Sequence, residues 1–190
     1  MKLASHNSLT YLPCKKWYMI PFNFVAKCQR VSLERQYVKY GIRMFDFRVA
    51  FNKDSVPYIC HGLMDYKGDI FSFLDYLNKQ KGTKVRLVLE KEDNKDSDKL
   101  FITFCKLVGA TYQNIKFFGG IKKKGWEQLY RFKYNPEYDD KYASNNTSNK
   151  TTGILIDDLY PFIYARVNNR KNIRKGTDKP WLFIDFVDIR

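Results

Sequence analysis

The stretch GIRMFDFRVAFNKDSVPYICHG, residues 41–62, decides how this chain is read. In an extended segment side chains alternate between faces, so Asp46 and Arg48 share one side while Phe45, Phe47, Val49 and Phe51 share the other. A carboxylate and a guanidinium on one face of an otherwise apolar strand are costly to bury unless they serve each other or a ligand. A second strand, Val56 to Cys60, delivers His61 followed by Gly62. The chain has 2 histidines, and the other, His6, lies in SHNSLTYLP, residues 5–13.

Working outward, Ser32 to Tyr40 reads as a helix with Ser32 as N-cap, and Gly41 ends it before the central strand. Asp69 caps a second helix whose Ile70, Phe73, Leu74 and Leu77 recur at helical spacing. Val85 to Leu89 is a compact apolar run holding Arg86 and ending in Glu90, Lys91, Glu92 and Asp93. Charged residues at the carboxyl end of a buried strand are where barrel enzymes keep their chemistry. Asp96 to Val108 is predicted helical, Asn114 to Phe118 a short strand and Gly153 to Ile156 another. The polar stretches 131–150 and 168–179 read as loops, with a helix over 160–167 between the strand and the second loop. The chain finishes in WLFIDFVDIR, an apolar strand interrupted by Asp185 and Asp188. Strands alternating with helices predict a parallel α/β sheet of six to eight strands, centred near Lys2, Met44, Tyr58, Val85, Ile115, Ile154 and Phe183.

The 190 residues suit one domain, 1–190, with no internal repeat. No apolar run approaches the roughly 20 residues that cross a bilayer, and MKLASHNS leaves no room for a signal peptide. The expectation is a cytoplasmic protein, or one released without a leader, and a monomer. Lys and Arg total 34 against 20 Asp and Glu, a formal net charge of +14. That excess favours anionic partners: a membrane surface met peripherally, or nucleic acid. Lys15, Lys16, Trp17 and Tyr18 mix charge and aromatics as a rim loop on such an interface does, and Lys122 to Lys124 form a second basic cluster. Cys14, Cys28, Cys60 and Cys105 show no zinc spacing and read as reduced thiols.

SHNSLTYLP, GIRMFDFRV and ICHG, in that order, resemble the X-domain of the phosphatidylinositol-specific phospholipase C family, closer to its bacterial metal-independent and X-domain-only members. The resemblance covers Leu3 to Glu92 and again Trp181 to Asp188. It implies a trimmed, distorted TIM-type (β/α) barrel and a phosphodiesterase or lyase acting on phosphatidylinositol or a related phosphodiester lipid through a cyclic phosphate. By the same resemblance His6 is the general base, His61 the general acid, Arg48 the phosphate ligand and Asp46 its holder. Asp185 is preferred to Asp188 for orienting His6, and Asn7, Glu90 and Lys91 are placed against the substrate. Arginine at position 48 implies that no metal is needed. Asn7 and Glu90 nevertheless match the calcium-dependent pattern, so a Ca2+ site built from Asn7, Asp46 and Glu90 stands as the alternative. Two further readings stay open: a metal-dependent glycerophosphodiester phosphodiesterase, and a non-catalytic basic barrel binding anionic lipid or nucleic acid.

Overall fold

A computed structural model describes residues 1–121, 143–146 and 160–190. The basic cluster at Lys122 to Lys124 and the strand expected at Gly153 to Ile156 lie outside the described residues. In chain order the strands are β1 (Lys2–Ser5), β2 (Met44–Phe51), β3 (Pro57–His61), β4 (Met64–Asp65), β5 (Lys84–Leu89), β6 (Lys116–Ile121), β7 (Ala143–Asn146) and β8 (Trp181–Ile184). The α-helices are α1 (Leu33–Val38), α2 (Ile70–Asn78), α3 (Ser97–Thr111) and α4 (Pro161–Lys175), and a 3-10 segment spans Trp17–Val25.

The described strands form one eight-stranded mixed sheet, open among the described residues. β7, β8, β1, β2, β5 and β6 run parallel in that spatial order, as the βα alternation predicts. β3 is the exception. Only residues 52–56 separate it from β2, too few for a crossover, so it returns as an antiparallel hairpin with Val49 opposite Ile59. Asn52 closes that turn, its Oδ1 accepting from the N–H groups of Asp54 and Val56. The parallel reading of Val56–Cys60 is therefore corrected, and β4 pairs antiparallel with β3 in turn.

This hairpin sets the site. One edge of β2 is paired with β5 from Met44 to Val49. Along the other edge β1 meets β2 at Ser5 and Phe45, whereas β3 takes over from Val49 onward. The C-terminal ends of β1 and of the reversed β3 thus converge over the middle of β2.

The two sheet faces bury different residues. Phe45, Phe47, Val49, Val85, Leu87 and Leu89 pack under the helices with Leu74, Leu77, Phe101 and Phe104. The opposite face carries Asp46, Arg48 and Arg86, above a small apolar layer of Ala4, Met44 and Phe183. Both predicted caps hold: Asp69 accepts from Phe71 and Ser72, and the Ser32 hydroxyl accepts from Arg35. Two predicted loops are corrected. Ala143–Asn146 is strand β7, paired with Trp181–Ile184, and residues 168–175 continue α4. Its polar turns are held by tertiary contacts, since buried Asn169 donates to the carbonyls of Asp185 and Ile189.

Candidate active site

His6 follows the last residue of β1 and is fixed before its side chain is considered. Its N–H donates to the Ile184 carbonyl at 3.1 Å, while its own carbonyl accepts from the Gln29 amide at 3.0 Å. Ser8 ties the next residues to β2, its hydroxyl accepting from the Asp46 N–H and its own N–H donating to the Asp46 carbonyl, both at 2.8 Å. Asn7 completes the turn with φ of 44° and donates its N–H to Asp46 Oδ2.

The His6 ring is oriented by Asp185, the residue after β8. Nδ1 lies 2.7 Å from Asp185 Oδ1, and a carboxylate only accepts, so Nδ1 carries the proton. The same reasoning fixes His61, whose Nδ1 donates to the Ala26 carbonyl at 2.7 Å. In the neutral form of either ring the bare nitrogen is therefore Nε2. Asn7 Nδ2 donates to the Nε2 of His61 at 2.9 Å and lies 3.3 Å from the Nε2 of His6. The ring centroids are 6.2 Å apart and the rings nearly perpendicular. Burial pushes the His61 imidazolium down to about 4, with the nearby Arg48 and His6 opposing protonation too and Glu90 favouring it.

Arg48 fills the space between the rings and the sheet, its side chain 1% exposed. Nε donates to Asp46 Oδ2 at 2.9 Å, Nη1 to Glu90 Oε2 at 2.7 Å, and Nη2 lies 3.4 Å from His6 Nε2. Burial disfavours its charge, but Asp46 and Glu90 more than offset that and hold it protonated. Glu90, just past β5, also accepts from the Gly62 N–H. Burial likewise opposes an ionised Asp46, yet Arg48 and Arg86 keep it well below the usual carboxylate range. Arg86 donates from Nε to Asp46 Oδ1 at 2.9 Å and lies over the Phe183 ring at 3.9 Å.

The sequence-derived residues His6, Asn7, Asp46, Arg48, His61, Glu90 and Asp185 are thus joined in one cluster. Lys91 is engaged elsewhere, with Nζ 2.5 Å from Asp65 Oδ1, while Lys16 pairs with the other oxygen of that carboxylate. Asp188, the rejected alternative to Asp185, pairs with Arg30. Three participants were not singled out from sequence. Arg86 faces Asp46 across the β2–β5 ladder, a register that two six-residue apolar runs permit but do not declare. Gln29 braces the ends of β1 and β8. Cys28, fully buried, accepts from Asn7 Nδ2 at 3.3 Å and lies 4.0 Å from His61 Nδ1. Burial pushes its thiol well up, so it is a neutral neighbour and no nucleophile.

Donor atoms of His6, Cys28 and Asp185 lie within 4.8 Å of one another, a metal-ligating set only at the cost of the His6–Asp185 hydrogen bond. In chemical terms the cluster offers two lone pairs at neighbouring imidazoles, one backed by a carboxylate, beside a buried guanidinium. That arrangement suits proton transfer on both sides of an anionic centre.

No family model and no curated protein matches the sequence. Solved structures do. A mutant of the phosphatidylinositol-specific phospholipase C from Staphylococcus aureus is similar at TM-score 0.61 and 16% identity, over 97% of this chain and 84% of that one. The phosphatidylinositol-specific phospholipase C from Listeria monocytogenes is similar at TM-score 0.58 and 17% identity, over 97% and 87%. At such identities the likeness speaks for the fold, and the mixed α/β architecture of this chain is that of the bacterial phosphatidylinositol-specific phospholipases C.

Proposed function

We propose that the chain is a phospholipase C-like phosphodiesterase cleaving phosphatidylinositol or a related phosphodiester lipid by intramolecular attack. His6 Nε2 takes the proton from the inositol 2-hydroxyl as that oxygen attacks phosphorus. The bond to the diacylglycerol oxygen breaks, and His61 Nε2 returns a proton to it, leaving a five-membered cyclic phosphate. Arg48 faces the phosphoryl oxygens and stabilises the added negative charge. The observation that carries this reading is the opposition of two bare Nε2 atoms across Asn7, next to Arg48 Nη2.

An acid that is neutral before substrate arrives has to be charged by it. Around the rings two guanidinium groups, Arg48 and Arg86, meet three carboxylates, Asp46, Glu90 and Asp185, a balance of −1 with both imidazoles neutral. A phosphodiester brings a further −1, and each added anion favours protonation of His61. Binding the lipid and arming the acid are then one event.

The chemistry we infer is metal-independent. Asn7 Oδ1 is buried without a hydrogen-bond partner among the described residues and would suit a Ca2+ ligand. Asp46 and Glu90 do not fit that role, because Arg48 holds both and Arg86 holds Asp46 as well. A divalent ion there would lie against a buried guanidinium. The same objection meets a metal-dependent glycerophosphodiesterase.

The partner surface we assign is an anionic bilayer met peripherally. Trp17 is 80% and Leu63 79% exposed, with Ile20 and Phe22 more than half exposed. The 3-10 segment bearing these aromatics leads directly into Ala26, whose carbonyl holds His61, so the apolar rim adjoins the site. No described helix is long and apolar enough to cross a membrane.

The test is cleavage of phosphatidylinositol vesicles in EDTA, followed by phosphorus NMR. A cyclic phosphate is expected, and His6→Ala and His61→Ala should each lower turnover by roughly 10²-fold or more. Turnover abolished by chelation would remove the metal-free mechanism, and a histidine variant as active as the parent would remove that residue from it.

A further inference from the structure

The proposed chemistry leaves one buried group of the site without a task. Cys28 is 1% exposed and comes from the loop between the 3-10 segment and α1. Its N–H donates to Thr10 Oγ1 at 2.9 Å and its carbonyl accepts from the Phe186 N–H at 2.6 Å, which locks it beside Asp185. Cys28 Sγ, a ring nitrogen of His6 and a carboxylate oxygen of Asp185 lie within 4.8 Å of one another. In tetrahedral zinc sites, bonds of about 2.0–2.3 Å set ligand atoms roughly 3.2–3.6 Å apart, so no pair has more than roughly 1.5 Å to close.

We propose that His6, Cys28 and Asp185 form an inhibitory site for a thiophilic divalent cation of the Zn2+ class. Thiolate, imidazole and a single carboxylate suit Zn2+, whereas Ca2+ and Mg2+ seek six or more oxygens. The thiolate and the carboxylate bring −2 to an ion of +2, so the ligated ion is buried without net charge. Asn7 supplies a further donor. Its Oδ1 is buried without a hydrogen-bond partner among the described residues, and its Nδ2 already lies 3.3 Å from Cys28 Sγ, so rotation of the amide turns a carbonyl oxygen toward the ion. For each ion bound, the Cys28 thiol proton goes to solvent and the His6 proton moves from Nδ1 to Nε2. The His6–Asp185 hydrogen bond is replaced by two bonds to the metal. His6 Nε2 then carries a proton and accepts none, which stops the base. The metal site stands on its donors alone, whereas the inhibition rests on the role proposed for His6.

Titration of the full chain with Co2+ in a phosphine reductant, followed by near-ultraviolet absorption, provides the test. One Co2+ per chain is expected with a thiolate-to-cobalt charge-transfer band, displaced by equimolar Zn2+ and untouched by excess Ca2+. Cys28→Ser keeps the shape of the side chain but offers a far poorer ligand. It should lose the band and weaken Zn2+ at least about tenfold, while Cys60→Ala keeps the band. If Cys28→Ser does not fold, the parent decides: on adding Zn2+, long-range 1H–15N spectra should show the His6 proton moving from Nδ1 to Nε2. No band, a band that survives Cys28→Ser, or a His6 tautomer unchanged by Zn2+ overturns the site. Stoichiometric Zn2+ should also lower phosphatidylinositol cleavage at least about tenfold, with EDTA restoring it. A loaded site that leaves cleavage undiminished overturns the inhibition and the base role of His6 together, while metal binding stands. A parent that never cleaves phosphatidylinositol overturns the functional reading, and the inhibition with it, but not the metal site.

Discussion

Because Asn7 donates Nδ2–H to the Nε2 of His61, protonating that ring requires the amide to turn and offer its orphaned Oδ1 instead. Replacing the amide by a carboxylate removes the donor and adds an attractive charge. Asn7→Asp should therefore raise the His61 pKa from about 4 by at least about one unit, read from the Cε1 proton shift in an NMR titration. An unmoved titration would detach Asn7 from the acid. The same depressed pKa predicts a pH dependence of stability. An unfolded histidine titrates near 6.5 and this one near 4, so the neutral ring contributes fully above pH 6.5 and that contribution is lost as the pH falls toward 4. The loss is at most about 3 kcal/mol, and His61→Gln should flatten that part of the curve in urea unfolding followed against pH. How much of this centre sequence discloses differs by residue. Asp46, Arg48 and the two histidines are legible because a buried ion pair and scarce imidazoles stand out against apolar surroundings. Cys28 and Gln29 are not, because their only signal is tertiary: each reaches the site from a loop distant from every motif.

At the level of strands, Gly119 shows how closely β5 and β6 approach. It has φ of 115°, and a Cβ built on it would stand 1.7 Å from the Leu87 carbonyl oxygen, an atom of the backbone that cannot step aside. Gly119→Ala should therefore destabilise by more than about 2 kcal/mol, through strain and clash together, measured as a lower urea midpoint. Leu87 is three residues from Glu90, so the phosphodiesterase activity we propose should fall as well. A variant with the parent midpoint would mean the ladder shifts freely. The GG dipeptide reads from sequence as the close of a strand over Asn114–Phe118, yet β6 continues through both glycines to Ile121. A glycine signals backbone freedom and does not say whether a turn or a close approach uses it. The end of α4 fails for a different reason, since residues 168–175 are Asn, Arg and Lys apart from Ile173, and one apolar residue makes no stripe to betray a helix. β3 is the converse case. Its short connection to β2 already dictated an antiparallel return, and the βα rhythm of the remaining strands obscured it.

Across the whole molecule the net charge of +14 is unevenly employed, and that separates general attraction from docking. In the docking we propose, long-range attraction to anionic vesicles comes from the entire surface and is screened within a Debye length of about 10 Å at 0.1 M salt. Apolar contact, in the docking we propose, comes from the 3-10 segment with Trp17, Ile20 and Phe22 and from Leu63, exposed side chains among the described residues. Composition suggests the first component and the Lys15–Tyr18 stretch part of the second, whereas the exposure of Ile20 and Phe22, in a segment that leads into Ala26 and so to His61, is visible only in the structure. The two components respond differently to salt. Inserting a tryptophan is worth roughly 1.5–3 kcal/mol by area, so Trp17→Ala should weaken sedimentation with phosphatidylinositol-containing vesicles about tenfold or more, at low and high salt alike. Lys15→Gln/Lys16→Gln should weaken it chiefly at low salt. Hydrolysis of a water-soluble glycerophosphoinositol should be untouched by Trp17→Ala, since the imidazoles and Arg48 are left in place. A Trp17 variant that binds vesicles like the parent would relocate the docking face, and one that loses the soluble substrate equally would make Trp17 part of the site itself.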